Sequence, residues 1–427
     1  MSAGAGPQIM GPGSTNRLAD AVSDAFVDRH GRRPDGVWAA PGRVNLIGEH
    51  TDHNGGPCLP LALPHATYVA VGRRTDRRLT AVSDRAADVF DAPPDRLGPG
   101  DVTGWPAYVA GVVWAAREAG VDVPGLDVVI SSTVPVGAGL SSSAALECSI
   151  GLAALSSAGV TDDEASRRRL VEMCRRAESE VAGAPTGGMD QTVSLFASVD
   201  HALLVDFSSA ATRDVVGPAI SRHRWTPATD GVELVVIDTR TTHALVDGGY
   251  ADRRRECERA ATLLDVRTLG ELVGPDSRDS PDARDAVDSI DDEVLRRRAR
   301  HVVTEIGRVR DSLRVVRRAG VAEDPGGAGT VDWAMLGSIL DASHASLRDD
   351  FEVSCPELDA ACDVAVRAGA FGARMTGGGF GGSAIALVPS TSADEVRRRV
   401  ADEFADRGWA PPGFLPAPAS AGASRIA

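Results

Sequence analysis

Apolar and polar positions along the chain follow two kinds of pattern. Short runs rich in Val, Ile and Leu predict strands at residues 67–72, 79–83, 126–130, 232–238 and 383–388, the first two as a pair. Apolar spacing and helix-forming composition predict helices at residues 108–119, 144–157, 162–180, 252–264 and 292–319. Because strands and helices alternate irregularly, the pattern predicts an α+β fold in two lobes rather than a doubly wound sheet.

Segments rich in Gly, Pro or Asp divide this pattern. Residues 1–15 and 411–427, which are rich in small residues and Pro, are expected to be disordered tails. Residues 274–292 contain seven Asp and are expected to be a solvated loop, and residues 320–329 a glycine-rich turn. A chain of 427 residues is too long for one ordinary core, and the strand at 232–238 opens the second lobe. The predicted domains are therefore residues 16–222 and 223–410.

The charge balance excludes several classes of function. A formal net charge of -15 argues against nucleic acid or an anionic membrane surface as a partner, because either favours a basic face. All 45 cationic residues are Arg, and the chain contains no Lys. This composition excludes the Lys of a P-loop, the strand Lys of a protein kinase and Schiff-base chemistry.

Cysteine usage and the lack of long apolar segments predict a cytoplasmic protein. The six cysteines are scattered without a Cys-x-x-Cys pair, which favours reduced thiols over disulfides. The first residues lack the apolar core of a signal peptide, and no uncharged apolar run reaches the ~20 residues that span a bilayer. We expect a cytoplasmic monomer without a membrane partner.

Residues 40–56 form a loop after a short apolar run and carry strongly polar side chains of both signs. Arg43, Glu49, His50 and Asp52 lie within ten residues, among Gly and Pro that disfavour a continuous helix. Carboxylates and imidazole hold sugar hydroxyls, and Arg adds a fixed positive charge. The loop therefore suits a polyhydroxylated ligand, although a solvated turn is the alternative interpretation of this segment alone.

Residues 135–145 lie between a predicted strand and an Ala-rich helix. This is the context in which backbone N–H groups converge on an anion at a helix N-terminus. Gly137 and Gly139 let the backbone approach a phosphate, and Ser141, Ser142 and Ser143 add hydroxyls, one of them a possible Mg²⁺ ligand. Without Lys, the loop must hold phosphate through N–H groups, hydroxyls and metal. An ordinary Ser-capped helix is the alternative.

Two acidic residues follow this loop along the chain. Glu178 ends a predicted helix, and Asp190 comes after two glycines that push a carboxylate into a cleft. Near a phosphate loop, such a pair fits a kinase, in which one acid binds Mg²⁺ and the other accepts the proton of the attacking hydroxyl. Either acid alone is more often a surface residue or a helix cap.

Two further features leave the interpretation open. The glycine-rich loop at residues 375–382 either approaches a ligand or lets two lobes pack closely. Tyr250, Trp105 and Tyr108 are either core residues or, for the last two, an adenine platform.

Together these motifs resemble the GHMP small-molecule kinases and, within them, the galactokinase family. Gly42-Arg-Val-Asn-Leu-Ile-Gly-Glu-His-Thr-Asp52 is similar to the galactokinase signature. Residues 135–145 and 375–382 match the superfamily's ATP loop and third motif. The resemblance covers residues 16–410 and implies an N-terminal domain like ribosomal protein S5 domain 2, a ferredoxin-like C-terminal domain and an active site between them. Further galactokinase-like matches lie at Tyr250, residues 253–257, 297–305 and 344–359.

The resemblance also implies roles for individual residues. By it, Asp190 is the catalytic base, Arg43 is the cation beside the reacting centre, and Ser143 and Glu178 hold Mg²⁺. The galactose-binding residues are Glu49, His50, Thr51, Asp52, Gly187 and Tyr250. The ATP-binding residues are Gly137, Ala138, Gly139, Leu140, Ser141, Ser142 and Ser143, with Ser83, Trp105 and Tyr108 near the nucleotide.

The activity implied is transfer of the ATP γ-phosphoryl group to the anomeric hydroxyl of D-galactose. The alternatives are a sibling kinase for N-acetylgalactosamine or arabinose and a sensor that binds galactose and ATP without reaction. Three positions depart from the family. His53 replaces a common Tyr, Gly188 a larger apolar residue and Ser383 a frequent Cys. The first two lie near the expected sugar site and bear on specificity.

Overall fold

The computed structural model of the protein describes residues 7–208, 217–241, 246–274, 281–318 and 330–427. Within them, strands β1 to β14 are Gln8–Ile9, Gly36–Asn45, Pro57–Cys58, Pro60–Arg74, Leu79–Ser83, Phe90–Ala92, Gly125–Ser132, His201–Asp206, Ala219–Arg224, Val232–Asp238, Gly372–Thr376, Ser383–Pro389, Gly413–Pro416 and Ser424–Arg425. Helices α1 to α11 are Thr15–His30, Trp105–Glu118, Ser142–Ser157, Glu164–Arg176, Met189–Phe196, Val246–Leu263, Pro281–Asp288, Glu293–Arg318, Trp333–Asp349, Pro356–Arg367 and Ala393–Asp406. This mixture confirms the predicted α+β class.

The larger sheet, in the order β14-β2-β4-β7-β5-β6, forms the first lobe. Helices α2, α3 and α4 pack on one face, and α1 packs on the other through Val22 and Phe26. The predicted pairing of residues 67–72 with 79–83 is wrong, because β7 pairs with both β4 and β5 and separates them. The reason is burial on both faces of β7: Val128 and Ile130 pack in the core with α2, α3 and α4, and Val129 packs in the core with α1, which favours a central position in the sheet.

The second lobe contains a five-stranded sheet in the order β1-β13-β10-β12-β11, covered by α6, α8, α10 and α11. A third sheet, β3-β8-β9, lies beside the first lobe. The domain boundary predicted after residue 222 falls inside β9, which pairs with β8. Among the helices of the described residues, none has the length and apolar character to cross a membrane.

The prediction that residues 411–427 form a disordered tail is wrong. These residues form β13, which pairs with β10, and β14, which pairs with β2. Phe414 and Leu415 are fully buried, so pairing and burial override the Pro- and Ala-rich composition. At the other end, Gln8–Ile9 pairs with β13, while residues 1–6 lie outside the described residues.

The acidic segment at 274–292 also differs from the expectation of a solvated loop. Its second half contains α7, whose Ala283 and Val287 are buried, followed by buried Ile290. The Asp residues occupy the exposed side of this amphipathic helix, which periodicity at 3.6 residues explains. Residues 275–280 and the predicted turn at 320–329 lie outside the described residues.

One apolar core joins the two lobes and fixes the cleft between them. Val44 and Leu61 of the first lobe pack in the same cluster as Val236 and Ile385 of the second and Val309 of α8. Because protein interiors are close-packed, this shared core holds the two lobes in one orientation. The loops that leave β2 and β11 therefore meet across the cleft at fixed positions.

Candidate active site

A cavity of about 530 Å³ opens between the lobes. It brings together residues that are far apart in the sequence. Sequence analysis predicted that these residues catalyse the reaction or bind sugar, phosphate or metal. The predicted residues that line it are Arg43, Glu49, His50, Asp52, Gly137, Gly139, Leu140, Ser141, Ser142, Ser143, Glu178, Asp190 and Tyr250.

Asp190 and Arg43 form the centre of the cavity. Arg43 Nε donates to Asp190 Oδ1 at 2.9 Å, and Arg43 Nη2 donates to Oδ2 at 3.0 Å. The Ser141 hydroxyl also donates to Oδ2. Oδ2 therefore accepts two hydrogen bonds and Oδ1 accepts one, which leaves Oδ1 with the free lone pair for an incoming hydroxyl. A bidentate Arg holds the carboxylate in one orientation.

The glycine-serine loop is held from behind by its carbonyl oxygens. The Ala138 carbonyl accepts from Ser383 Oγ at 2.7 Å, and the Gly139 carbonyl accepts from Arg43 Nη1 at 2.6 Å. The Leu140 carbonyl accepts from the backbone N–H of Arg43 at 3.1 Å. Three successive carbonyls tied to the protein leave N–H groups for an anion, the arrangement of phosphate loops. Ser383, one of the departures from the family, thus has a structural role.

Asp52 lies on the sugar side of the cavity, and Gly187 lies directly behind it. Asp52 Oδ1 accepts from the His53 N–H at 2.8 Å. Burial and, secondarily, the charge of Asp190 raise the pKa of Asp52 to about 6. A Cβ on Gly187 would lie 2.1 Å from Asp52 Oδ2. Gly187 does not line the cavity; it makes room for the carboxylate that does.

Glu49 is tied to the second lobe as well as exposed to the cavity. Its Oε2 accepts from Asn45 Nδ2 at 2.6 Å, and its Oε1 accepts from the Gly377 N–H at 2.7 Å. Arg374 Nη2 lies 3.5 Å from Oε1. Glu49 therefore fixes the glycine-rich loop at 375–382 against the opening loop, and that loop both lines the cavity and joins the lobes.

Thr51 was predicted to bind the substrate, but its side chain points into the loop and away from the cavity. Its side chain is fully buried, and its hydroxyl lies 2.8 Å from the Gly48 carbonyl and 2.7 Å from the Pro57 carbonyl. The hydroxyl proton is used inside the loop, and Thr51 does not line the cavity. It stabilises the turn that presents Asp52.

Residues from the second lobe, whose roles the sequence did not reveal, hold the opening loop in place. Glu305 accepts from the Gly48 N–H at 2.9 Å, and Arg374 Nη1 donates to the Leu46 carbonyl at 2.8 Å. The His301 ring lies 3.2 Å from the Glu49 carbonyl and donates to it through Nε2. His301 and Glu305 lie within the match at residues 297–305, but their partners are far away in the sequence, so the match did not reveal what they hold.

Glu178 lies on a π-helical turn, Ala177–Val181, that ends α4. The sequence predicted an uninterrupted helix here, and π turns of this kind are frequent at functional sites. Burial and, in the same direction, Asp190 raise the pKa of Glu178 to about 7, while the Ser143 hydroxyl opposes the increase. Ser143 and Glu178 are therefore neighbours, as a shared metal ligand pair requires.

Glu147 and Gln191 are buried polar residues that the sequence analysis missed. The Gln191 amide donates to Glu178 Oε2 at 2.6 Å and to Glu147 Oε2 at 3.1 Å. Burial and the charge of Glu178 raise the pKa of Glu147 well above its ordinary value. Glu147 lies within the Ala-rich helix α3. The sequence feature that could have identified it is its position as a single acid among apolar residues.

We expect Glu147→Gln to stabilise the protein at high pH. The raised pKa means that the folded state keeps a proton that the unfolded chain loses above about 4.5, so wild-type stability falls as the pH rises past that value. The amide cannot titrate, and the difference from wild type should grow with pH by at most about 1.4 kcal/mol per unit. Urea unfolding of both proteins at pH 5 and pH 8 measures it. An equal difference at the two pH values would contradict the buried, protonated state.

Three predicted nucleotide residues, Ser83, Trp105 and Tyr108, do not line the cavity. Ser83 ends β5, and Trp105 begins α2. Tyr108 is close enough to Glu178 and Glu147 for their charges, after burial, to raise its pKa to about 12. Their assignment to ATP stays a prediction. Ala138 also lies outside the lining, and only its backbone belongs to the phosphate loop.

Comparison with known families agrees with this geometry. Residues 24–73 match the galactokinase galactose-binding signature, residues 107–198 the GHMP kinase N-terminal domain and residues 330–406 the GHMP kinase C-terminal domain. The opening loop, the glycine-serine loop and Asp190 fall within the first two matches, and the second glycine loop falls within the third.

Similar proteins cover nearly the whole chain. A galactokinase from Streptomyces coelicolor is 44% identical over 96% of this chain and 99% of its own length. One from Mycobacterium tuberculosis is 42% identical over 91% of this chain and 98% of its own. The crystal structure of Lactococcus lactis galactokinase complexed with galactose has a TM-score of 0.83 and 30% identity, covering 96% of this chain and 100% of that one. The chain belongs to the galactokinase family and has the two-lobed GHMP kinase fold.

Proposed function

We propose that the protein is an ATP-dependent galactokinase that converts D-galactose and ATP into galactose 1-phosphate and ADP. The observation that carries the proposal is the position of Asp190. Its carboxylate is fixed by Arg43 in a cavity with an anion-binding loop on one side and the galactose signature on the other. The similarity to a galactokinase with bound galactose supports the sugar assignment.

Asp190 accepts the proton of the anomeric hydroxyl as that oxygen attacks the γ-phosphorus. Its Oδ1 is the accepting atom, because Oδ2 already receives Arg43 and Ser141. Arg43 offsets charge on the carboxylate and on the transferred phosphoryl group. Since phosphoryl transfer has a loose transition state, positioning and electrostatics supply most of the rate enhancement.

The residues on the phosphate side fit a divalent cation. Among the described residues that line the cavity, Glu49, Asp52, Glu178 and Asp190 carry acids, and Arg43 is the one Arg. ATP adds more negative charge, so the site needs a cation. Ser143 and Glu178 would hold Mg²⁺, which would neutralise negative charge on the phosphates of ATP. The N–H groups of the 137–143 loop and the N-terminus of α3 bind the phosphates.

The contacts of the opening loop favour galactose over the alternatives. Asp52 and His50 face the cavity in fixed orientations, which favours one sugar stereochemistry over a relaxed pocket for several. A sensor that binds without reaction needs no aligned base, yet Asp190 is held by three hydrogen bonds. A monomer located in the cytoplasm stays a prediction.

A coupled assay with ATP, Mg²⁺ and a panel of sugars tests the function directly. We expect galactose to give the highest kcat/KM and galactose 1-phosphate as the product. Glucose, the C4 epimer, serves as the matched control sugar. A higher kcat/KM for N-acetylgalactosamine or arabinose would replace galactose as the substrate. Binding of galactose and ATP without product would favour the sensor.

A further inference from the structure

His50 is held at the wall of the cavity in a strained conformation. Its backbone φ is 62°, in the left-handed region that residues with a side chain rarely adopt, and the residue is 5% exposed. The ring lies 4.5 Å from the Phe351 ring and 5.4 Å from the Tyr250 ring, measured between centroids. With its position fixed by packing, the remaining variable is which ring nitrogen carries the proton.

A chain of hydrogen bonds that begins at Asn54 bears on this question. Asn54 Nδ2 donates to the His50 carbonyl at 2.7 Å, and because a carbonyl only accepts, this contact fixes the orientation of the amide. The second N–H of the same Nδ2 lies toward His53 Nδ1, at 3.2 Å. His53 Nδ1 is therefore an acceptor without a proton.

The proton of a neutral His53 must then lie on Nε2. This nitrogen is 3.5 Å from His50 Nδ1, a long contact. If His50 carried its proton on Nδ1, two N–H groups would face each other at that distance. The favourable arrangement has His53 Nε2–H donating to an unprotonated His50 Nδ1 and places the His50 proton on Nε2.

Both rings are neutral near pH 7. Burial and the Arg254 charge lower the pKa of His53 to about 3, and burial followed by His53 itself lowers the pKa of His50 well below its ordinary value. The Gly378 backbone opposes this decrease in the pKa of His50, but its carbonyl lies outside hydrogen-bond range of Nε2.

Among the residues that the structure describes, none gives a hydrogen-bond partner to His50 Nε2, which is buried. A buried N–H without a hydrogen-bond partner costs free energy. Because the His50 ring lines the cavity, an acceptor atom of a bound ligand can accept this hydrogen bond. His53 does not line the cavity itself. Its backbone N–H donates to Asp52 and its ring packs 5.7 Å from the Tyr250 ring, but a ring nitrogen of His53 faces a cavity residue only at His50.

We propose that His53 is a positioning residue that selects the Nε2–H tautomer of His50, so that His50 donates a hydrogen bond to a sugar hydroxyl oxygen. The identity of the ligand rests on the proposed function, whereas the tautomer does not. His53 stands where the family commonly has Tyr. A phenol hydroxyl also donates, so the two side chains are alternative donors to the same Nδ1.

A matched pair of variants that differ by one hydroxyl tests the relay. His53→Phe keeps a ring and loses the donor, whereas His53→Tyr keeps a ring and a donor. We expect His53→Phe to raise the KM for galactose about tenfold, the worth of one hydrogen bond, with a smaller effect on kcat and none on the KM for ATP. His53→Tyr should restore KM to within about threefold of wild type. A role limited to packing would move both variants equally, and equal KM values for the two would overturn the proposal.

The tautomer itself is measured by long-range ¹H–¹⁵N correlation of the protein labelled with ¹⁵N-histidine, without sugar. The His50 signal is the one that disappears in His50→Gln. We expect Nε2–H in wild type and His53→Tyr and a mixture in His53→Phe. A wild-type Nδ1–H tautomer would overturn the relay even if the enzyme phosphorylates galactose. Failure of wild type to phosphorylate galactose would overturn the proposed function, while the NMR result still decides the tautomer.

Discussion

Asp190→Asn is expected to lower kcat by about a thousandfold while galactose still binds. General base catalysis contributes typically about 10² to 10⁴ in rate, and the amide cannot accept the proton. The Asn side chain also carries an NH₂ group, which donates hydrogen bonds, at a position where both oxygens of the Asp carboxylate accept them. Its NH₂ group would face either Nε or Nη2 of Arg43, which now lie 2.9 Å and 3.0 Å from the two carboxylate oxygens. Arg43 would then move and release the Gly139 carbonyl of the phosphate loop.

Single-turnover phosphoryl transfer measures this effect, and calorimetric titration with galactose measures the retained binding. Ser141→Ala is the matched control, since it removes one hydrogen bond to Asp190 Oδ2 and leaves both the base and Arg43 in place. We expect this control to lose no more than about tenfold in kcat, the worth of one such bond. If Asp190→Asn reacted at nearly the wild-type rate, Asp190 would not be the base.

The local parts of this site could be predicted from the sequence because each depends on neighbouring residues. The glycine-serine loop has Gly137 and Gly139 at φ values of 77° and 70°, which glycine alone adopts at low cost, followed by a helix N-terminus. The crowded polar loop at residues 40–56 likewise carries its own chemistry. The roles of single residues within these loops came from the family resemblance rather than from spacing.

The remaining parts depend on contacts between distant segments, which a single sequence does not display. Glu147 looks like an exception in an apolar helix until Gln191 and Glu178 fold against it. Thr51 resembles its neighbours in the loop, but two backbone carbonyls hold its hydroxyl inside the turn. The C-terminal residues have the composition of a linker, yet β13 fills a place beside β10. In each case tertiary packing overrides local composition.

Gly187→Ala is expected to reduce kcat/KM for galactose by a hundredfold or more, because the new methyl group has no room. Its Cβ would lie 2.1 Å from Asp52 Oδ2 and 2.4 Å from Asp52 Cγ, and both distances are shorter than non-bonded atoms can approach. Asp52 is held from the other side by the His53 N–H, so the carboxylate must leave its position or the chain at 187 must shift. A shift would also move Met189–Phe196, the helix that carries Asp190. Misplacement of a reacting group by about 1 Å costs about a hundredfold in rate.

Gly248→Ala, in helix α6 two residues before Tyr250, is the matched control, since its Cβ would meet nothing closer than Asp252 Oδ2, at 3.8 Å. We expect this variant to stay within about twofold of wild type, as Gly to Ala within a helix is favourable by at most about 1 kcal/mol. Steady-state kinetics with galactose and thermal melting of both variants separate a loss of the site from a loss of the fold.

A double-mutant cycle identifies the cause of the Gly187→Ala defect. If the methyl group acts through the Asp52 carboxylate, Asp52→Ala removes the clash, and adding Gly187→Ala to that background should cost less than about threefold. The two changes are then strongly non-additive, because each damages the same contact. Additive losses would mean that Gly187→Ala acts through the backbone and helix α5 instead. Wild-type kinetics for Gly187→Ala alone would show that the loop at 187 yields freely, and the close packing of Gly187 against Asp52 would then have no part in sugar recognition.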